Sequence, residues 1–263
     1  MGKRAASLPR AYKGVIMDRV IYTAMSGAKH TMEQQATASN NLANATTTGF
    51  RSQLDTFRAV PVVGGEGLAT RTFVVDSTAG TNFALGPIQD TGRALDVAVA
   101  GDGWIAVQTA DGGEAYTRNG SFKMSENGIL QTQTGLSVLG DGGPISIPPD
   151  VTVAIAPDGT VSSIPTMGTP NAVNVLGRIK MVNPDEKSLK RGDDGLFRLT
   201  AGTQAPPDAN VRLVGGALEG SNVNVVDSMV NMINLARQFD LNMKVVTTAQ
   251  SDADKANQIL SLS

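Results

Sequence analysis

The residues able to do chemistry are few, and no two of them form a working set. Ser26-Gly27-Ala28-Lys29 has the S-x-x-K spacing of penicillin-interacting serine enzymes. The companion strings S-D-N and K-T-G are missing, and the site falls inside a helical pattern. His30 is the single histidine of the chain, so any histidine-based triad would rest on it alone; its place between Ala28 and Met32 puts it on an exposed helix face. Gly140-Asp141-Gly142-Gly143-Pro144 lacks both the G-x-G-x-x-G spacing and the strand-to-helix context that hold a pyrophosphate. Arg191-Gly192-Asp193 matches an adhesion tripeptide but runs straight into Asp194-Gly195, which reads as a polar turn. Asp102, Asp111, Asp141 and Asp158 each precede a glycine, the placement of turn formers rather than of paired carboxylates or metal ligands. Trp104 reads as a sheet-packing residue. With no nucleophile, base and oxyanion hole assembled, no catalytic, cofactor-binding or metal-binding residue is assigned.

Composition narrows the remaining classes. The absence of Cys removes disulfides, thiol catalysis and thiolate metal sites together. A balance of 22 Lys+Arg against 24 Asp+Glu, for a net charge of -2, argues against a nucleic-acid partner, whose backbone is bound by clustered positive charge. The apolar runs fall well short of the roughly 18 residues that read as a membrane span. Met1 to Ile16 is a basic stretch carrying Lys3, Arg4, Arg10 and Lys13, with no apolar core behind it as a secretory signal requires. It reads as an extension, with Met17 as an alternative start.

The elements follow from where glycine and proline fall. Of 29 Gly and 12 Pro, 23 Gly and 11 Pro lie between Arg51 and Gly215, and from Ser221 to the end there is neither. Both residues punctuate turns and are costly inside helices, so the middle is expected to be turn-rich β structure and the tail one continuous helix. Asp18 to Asn44 reads as a second helix. Three threonines then disfavour helix, and Gly49-Phe50 offers a left-handed C-cap with an apolar contact. Asn40, Asn41 and Asn44 supply hydrogen-bonding amides on the last turns, for the helix end or for a neighbouring chain.

Both helices carry apolar residues in alternating steps of three and four, the spacing of a coiled-coil seam. In the tail these are Val225, Met229, Met232, Ala236, Phe239, Met243, Val246, Ala253 and Leu260, with Gln250 and Asn257 as polar seats. At the front they are Ile21, Met25, Ala28, Met32 and Leu42, with Gln35 and Ser39 as polar seats. The polar seats make the seam marginal, so the helices are expected to pair with each other and to order fully only among further chains.

In the middle, Leu95–Val99, Trp104–Gln108, Ala115–Thr117, Ile129–Thr132, Ile145–Ile147, Val153–Ile155, Val161–Ile164, Leu176–Val182, Leu196–Thr200 and Val211–Val214 are predicted strands joined by Asp-Gly and Asn-Gly turns. The fold class is therefore α+β and mainly β: a Gly-rich sandwich or barrel-like central domain with the N- and C-terminal helices paired as a coiled coil. The expected parts are the extension 1–16, a front helix 17–50, a β-rich centre 51–215 and a helical tail 216–263 that pairs with 17–50.

Four strings resemble one family. Asn40-Asn41-Leu42-Ala43-Asn44 followed by Thr48-Gly49-Phe50-Arg51 is similar to the N-terminal rod motif of the axial proteins of the bacterial flagellum. Gly101-Asp102-Gly103-Trp104-Ile105-Ala106-Val107 and Tyr116-Thr117-Arg118-Asn119-Gly120-Ser121-Phe122 resemble that family's central region. Ala217-Leu218-Glu219-Gly220-Ser221-Asn222-Val223-Asn224, leading into Met229 to Ile233, resembles its C-terminal motif. The opening Met17 to Ala28 is most similar to the proximal rod members; distal rod and hook members share the later motifs and open differently.

The resemblance implies a structural subunit of the basal-body rod rather than an enzyme. It also implies export unfolded by the flagellar type III apparatus without a cleaved signal, and polymerisation in the periplasm into a hollow, torque-transmitting shaft whose inner tube is lined by the paired helices. Its implied partners are other copies of itself and neighbouring rod proteins, with no cofactor, small-molecule substrate or direct membrane insertion. A distal rod or hook-type subunit is the alternative within the family, and a secreted adhesin or enzyme with helical ends is the alternative outside it. The extension Met1 to Ile16 departs from the family pattern.

Overall fold

The computed structural model describes the backbone over residues 14–61, 72–165 and 173–261, and side chains over 21–56, 80–165 and 173–259. Met1 to Lys13 and the side chain of Leu260 lie outside the described residues. The chain is mainly β, with one long helix toward each end. It divides into two compact units. One takes in the chain up to Leu42, Gln53–Gly80 and everything from Val225 onward; the other is Ala43–Ser52 with Thr81–Asn224.

The first unit contains helix α1 (Gly14–Ala43), strands β1 (Gln53–Pro61) and β2 (Thr72–Thr81), which pair with each other, and helix α2 (Val225–Ser261). Helix α1 starts four residues earlier than the predicted Asp18. It stops at Ala43, where the asparagines and threonines compete for the backbone. Thr47 N–H then donates to Asn44 O at 3.1 Å and Phe50 N–H to Thr47 O at 3.3 Å, so two turns separate the helix from Gly49. Gly49 is therefore not the helix C-cap expected above, although its φ of +69° is left-handed. Helix α2 runs for 37 residues, about 55 Å at ~1.5 Å per residue, because no Gly or Pro interrupts it; Asp227 complements the helix dipole in its first turn. Among the described residues, no helix is long and apolar enough to cross a membrane.

Among its described residues the second unit holds sixteen short strands, β3 to β18. In order they are β3 Ile88–Asp90, β4 Val97–Ala100, β5 Trp104–Gln108, β6 Glu114–Thr117, β7 Phe122–Met124, β8 Leu130–Thr132, β9 Ser137–Gly140 and β10 Gly143–Pro144. Then come β11 Val151–Ile155, β12 Thr160–Pro165, β13 Asn174–Arg178, β14 Met181–Val182, β15 Leu189–Arg191, β16 Phe197–Leu199, β17 Arg212–Gly215 and β18 Ala217–Glu219. The large sheet runs β15-β16-β6-β5-β9-β8-β7, with β10 beside β9 and β14 beside β5; β11-β12-β13 form a second sheet, and β17-β4 and β18-β3 are pairs. The path of the large sheet ends at β15 and β7 without closing, so the barrel-like expectation is not met.

Two predicted strands change character. Ile145–Ile147 makes only an isolated bridge, Ser146 to Ile129, although Ile145 and Ile147 are buried. Leu176–Val182 is two strands, split where Ile179 bridges to Gly140. One apolar core joins Ile105, Phe122, Leu130 and Val138 of the large sheet to Val161 of the three-stranded sheet. A second gathers Trp104, Tyr116, Val182 and Phe197. Trp104 packs there with ring centroids 4.5 Å from Phe197 and 6.1 Å from Phe83, a sheet-packing role as expected.

Candidate assembly site

Each helix buries a narrow face, built mostly of small residues on α1 and of mixed small and large ones on α2. On α1, Ala24, Ala28, Thr31 and Ala38 are buried, with Ile21, Gln35 and Leu42 half-buried between them, in steps of three and four. On α2, Leu235 is buried, and Ser228, Met232, Ala236, Phe239, Asn242, Val246, Ala249 and Ala253 are half-buried. The helices run antiparallel: Gly27 faces the side chain of Asn242, while Ala38, further along α1, lines one cleft with Asn231 and Leu235, further back on α2.

Of the seam residues read from the sequence, Ala28 is buried and Ile21, Leu42, Met232, Ala236, Phe239, Val246 and Ala253 are half-buried. Met25 and Met32 are 55% and 58% exposed, and Val225, Met229 and Met243 are also exposed. The buried stripe holds eight of the thirteen described seats and, at four of the other five, takes the residue just before: Ala24 beside Met25, Thr31 beside Met32, Ser228 beside Met229, Asn242 beside Met243. Small side chains at these positions let two helices approach closely. The larger apolar groups are thereby turned outward, and with them Tyr22, Val226, Val230, Ile233, Leu241 and Val245. Contiguous exposed apolar surface of this kind is characteristic of interaction surfaces.

The rod-motif asparagines do different things. Asn41 acts as a surrogate strand: its Nδ2 donates to Gln53 O at 2.9 Å and its Oδ1 accepts from Gln53 N–H at 2.8 Å, tying the end of α1 to the start of β1. Thr37 Oγ1 adds a bond to Asp55 Oδ1 at 2.8 Å. Asn44 accepts through Oδ1 from Thr47 Oγ1 at 3.2 Å. Asn40 and Ala43 are exposed.

Within the second unit, the N-terminal, central and C-terminal motifs converge on Glu219, which is 2% exposed. Glu219 Oε1 lies 2.7 Å from Arg51 Nη1 and accepts from Gly86 N–H at 2.9 Å. Its Oε2 accepts from Arg118 Nη1 at 3.1 Å, and its main-chain carbonyl accepts from Gly49 N–H at 2.8 Å. Arg118 Nη2 also donates to Gly101 O at 2.7 Å, and its guanidinium sits 5.4 Å from the Trp104 ring centre. Burial pushes the Arg118 guanidinium below its ordinary pKa, and the Glu219 charge opposes that shift. Arg51 is 1% exposed; its contact with Glu219 is an ion pair by distance, while none of its three guanidinium nitrogens meets an acceptor in hydrogen-bonding geometry among the described residues. A Cβ at Gly49 would stand 2.5 Å from the Arg118 carbonyl carbon, so both the left-handed φ and this close approach demand glycine.

Asn222 extends the junction. Its Oδ1 accepts from Ser52 N–H at 2.7 Å, and its Nδ2 donates to the carbonyls of Asn82 and Ala84 at 2.9 Å each. Phe50 is buried beneath Arg191, whose guanidinium lies 4.5 Å from the ring centre and donates to Arg51 O at 3.0 Å. Arg191, read as part of a polar turn, therefore belongs to this junction. Sequence spacing could not find the set, because Arg51, Arg118 and Glu219 are separated by more than 60 residues each; the signal present was that all three lie inside the quoted motifs. His30 is half-buried on α1 with Nδ1 3.1 Å from Glu33 Oε2, and Lys29 pairs with the same residue, so the Ser26-to-Lys29 string makes helix-surface contacts.

Known proteins resemble the chain in the same places. A model of the flagella basal body rod protein matches residues 21–51, one of the flagellar hook protein FlgE/F/G D1 domain matches 98–163, and one of the flagellar basal body rod FlgEFG protein C-terminal matches 214–259. The flagellar basal-body rod protein FlgF of Salmonella typhimurium is 48% identical over 253 residues, covering 94% of this chain and 100% of that protein. FlgF of Escherichia coli K12 has the same identity and coverage. FlgF of Caulobacter vibrioides is 37% identical over 230 residues, covering 85% of this chain and 90% of its own.

Proposed function

The chain belongs to the flagellar basal-body rod protein family, most like its FlgF members, and from that premise we propose that it polymerises through α1 and α2 as a proximal rod subunit. It is a structural component of the basal body rather than an enzyme, and it assembles with other rod components. In the proposed arrangement the two helices form a coiled coil that, repeated along the rod, lines a hollow torque-transmitting shaft. The core shared by the large and three-stranded sheets supports a sandwich for the β body. Subunits reach the periplasm through the flagellar type III export apparatus, without a cleaved signal.

The observation that carries this reading is the outward face of the helices. Packing of the small-residue face of α1 against α2 leaves Met25, Met32, Met229, Ile233 and Leu241 uncovered, a surface suited to neighbouring copies and rod proteins. Contacts of one patch with a different patch on the next copy generate an open helical polymer rather than a closed dimer. The seam residues supply the test. In a strain whose only copy carries Met232→Asp with Phe239→Asp, the β body stays folded and swimming is lost; retained swimming overturns assembly through these helices.

A further inference from the structure

Asn242 is the most polar residue in the middle of an otherwise apolar and small stripe on α2, running Met232, Leu235, Phe239, Asn242, Val246, Ala249, Ala253. It stands against Gly27, the single glycine of the helical pattern between Asp18 and Asn44. A Cβ built on Gly27 would lie 3.3 Å from Asn242 Nδ2 and 3.4 Å from its Oδ1, so the amide fills the notch that the missing side chain leaves. The Nδ2 is buried without a hydrogen-bond partner among the described residues. The nearby carbonyl of Gly27 is already engaged, accepting from Thr31 Oγ1 at 2.8 Å. An apolar residue here would avoid the desolvation cost of that unsatisfied amide, so stability does not account for the asparagine.

Register does. Small, repetitive seats every three and four residues fit nearly as well after a slip of one heptad, which is the ambiguity a single buried polar residue removes in coiled coils. A slip in one direction sets Asn242 against Val20 and Leu235 against Gly27; in the other it sets Asn242 against Gln34, a long side chain where a notch is needed. We infer that Gly27 and Asn242 act as a lock that selects one register of the antiparallel helix pair, and hence one geometry for the apolar surface presented to neighbouring subunits. The inference rests on the reading of α1 and α2 as a packed pair.

The chain has no cysteine, so engineered pairs report register without background. Ala38→Cys with Leu235→Cys, which line one cleft, marks the native register; Ala28→Cys with Leu235→Cys, which stand about a heptad apart while Gly27 faces Asn242, marks a slip of one heptad. In the full-length chain with Asn242 retained, mild oxidation closes the first pair within one molecule and leaves the second open. With Asn242→Leu the slipped product rises by about tenfold or more, corresponding to the loss of roughly 1.4 kcal/mol of register preference. Gly27→Leu, which fills the notch, has the same effect by a separate route. A slipped product unchanged in both variants overturns the lock. Loss of both products in the variants overturns it as well, since Asn242 would then be needed for pairing itself. Failure of the native pair to close with Asn242 in place instead overturns the packed-pair reading.

Discussion

Glu219 joins segments more than 160 residues apart, taking contacts from Gly49, Arg51, Gly86 and Arg118 in a buried site. A buried ion pair adds little net stability, but removing one partner leaves the others charged and unmatched. Glu219→Gln is therefore expected to lower unfolding stability by about 3–5 kcal/mol, measured by denaturant unfolding of the purified chain. Gly49→Ala meets both a left-handed φ and main-chain atoms at 2.5 Å, so the junction must shift. The expected loss exceeds the ~1–2 kcal/mol of the conformational penalty alone. The Tyr116 phenol is pushed up to about 12 chiefly by burial. Unfolded chains ionise it near the usual ~10, so its contribution to stability is intact below that pH and is lost as pH rises toward the folded value. Ultraviolet titration of the native protein should show a late phenolate step that Tyr116→Phe abolishes.

The helices and strands differ in how legible they were. Both helices could be placed within a few residues, since an uninterrupted stretch free of Gly and Pro leaves little else to form. Strands with β-branched or aromatic runs, such as Trp104–Gln108, were equally plain. Leu189–Arg191 and Ala217–Glu219 were not: they are three residues long, carry charge, and are strands because a partner lies alongside. The heptad pattern was visible, but which of two adjacent residues faces the partner was not, because the choice between Ala24 and Met25 depends on how closely the backbones approach. The junction around Glu219 had no local signature, as each participant is paired across a long separation. A consequence follows for α1. Met25→Gln with Met32→Gln should leave helix content and unfolding stability of the isolated chain within about 0.5 kcal/mol, as for surface positions, whereas Ala28→Leu should reduce both through overpacking. Circular dichroism with denaturant unfolding separates the two outcomes.

For the whole molecule, two kinds of stability coexist. The second unit has two apolar cores and a buried polar junction, while α2 leaves most of its surface uncovered. Segments with few buried contacts open locally at low cost. Limited trypsin digestion of the soluble chain should cut first at Arg237, Lys244 and Lys255 and spare the β body, and assembly should protect those sites. The most direct test of the central claim replaces two residues of the outward apolar face, Ile233→Asp with Leu241→Asp, in the only copy a cell carries. Electron microscopy of isolated basal bodies should then show rods that fail to build past this subunit, with a folded β body recovered unassembled. Complete rods containing the doubly substituted chain would contradict assembly through the exposed faces of the terminal helices.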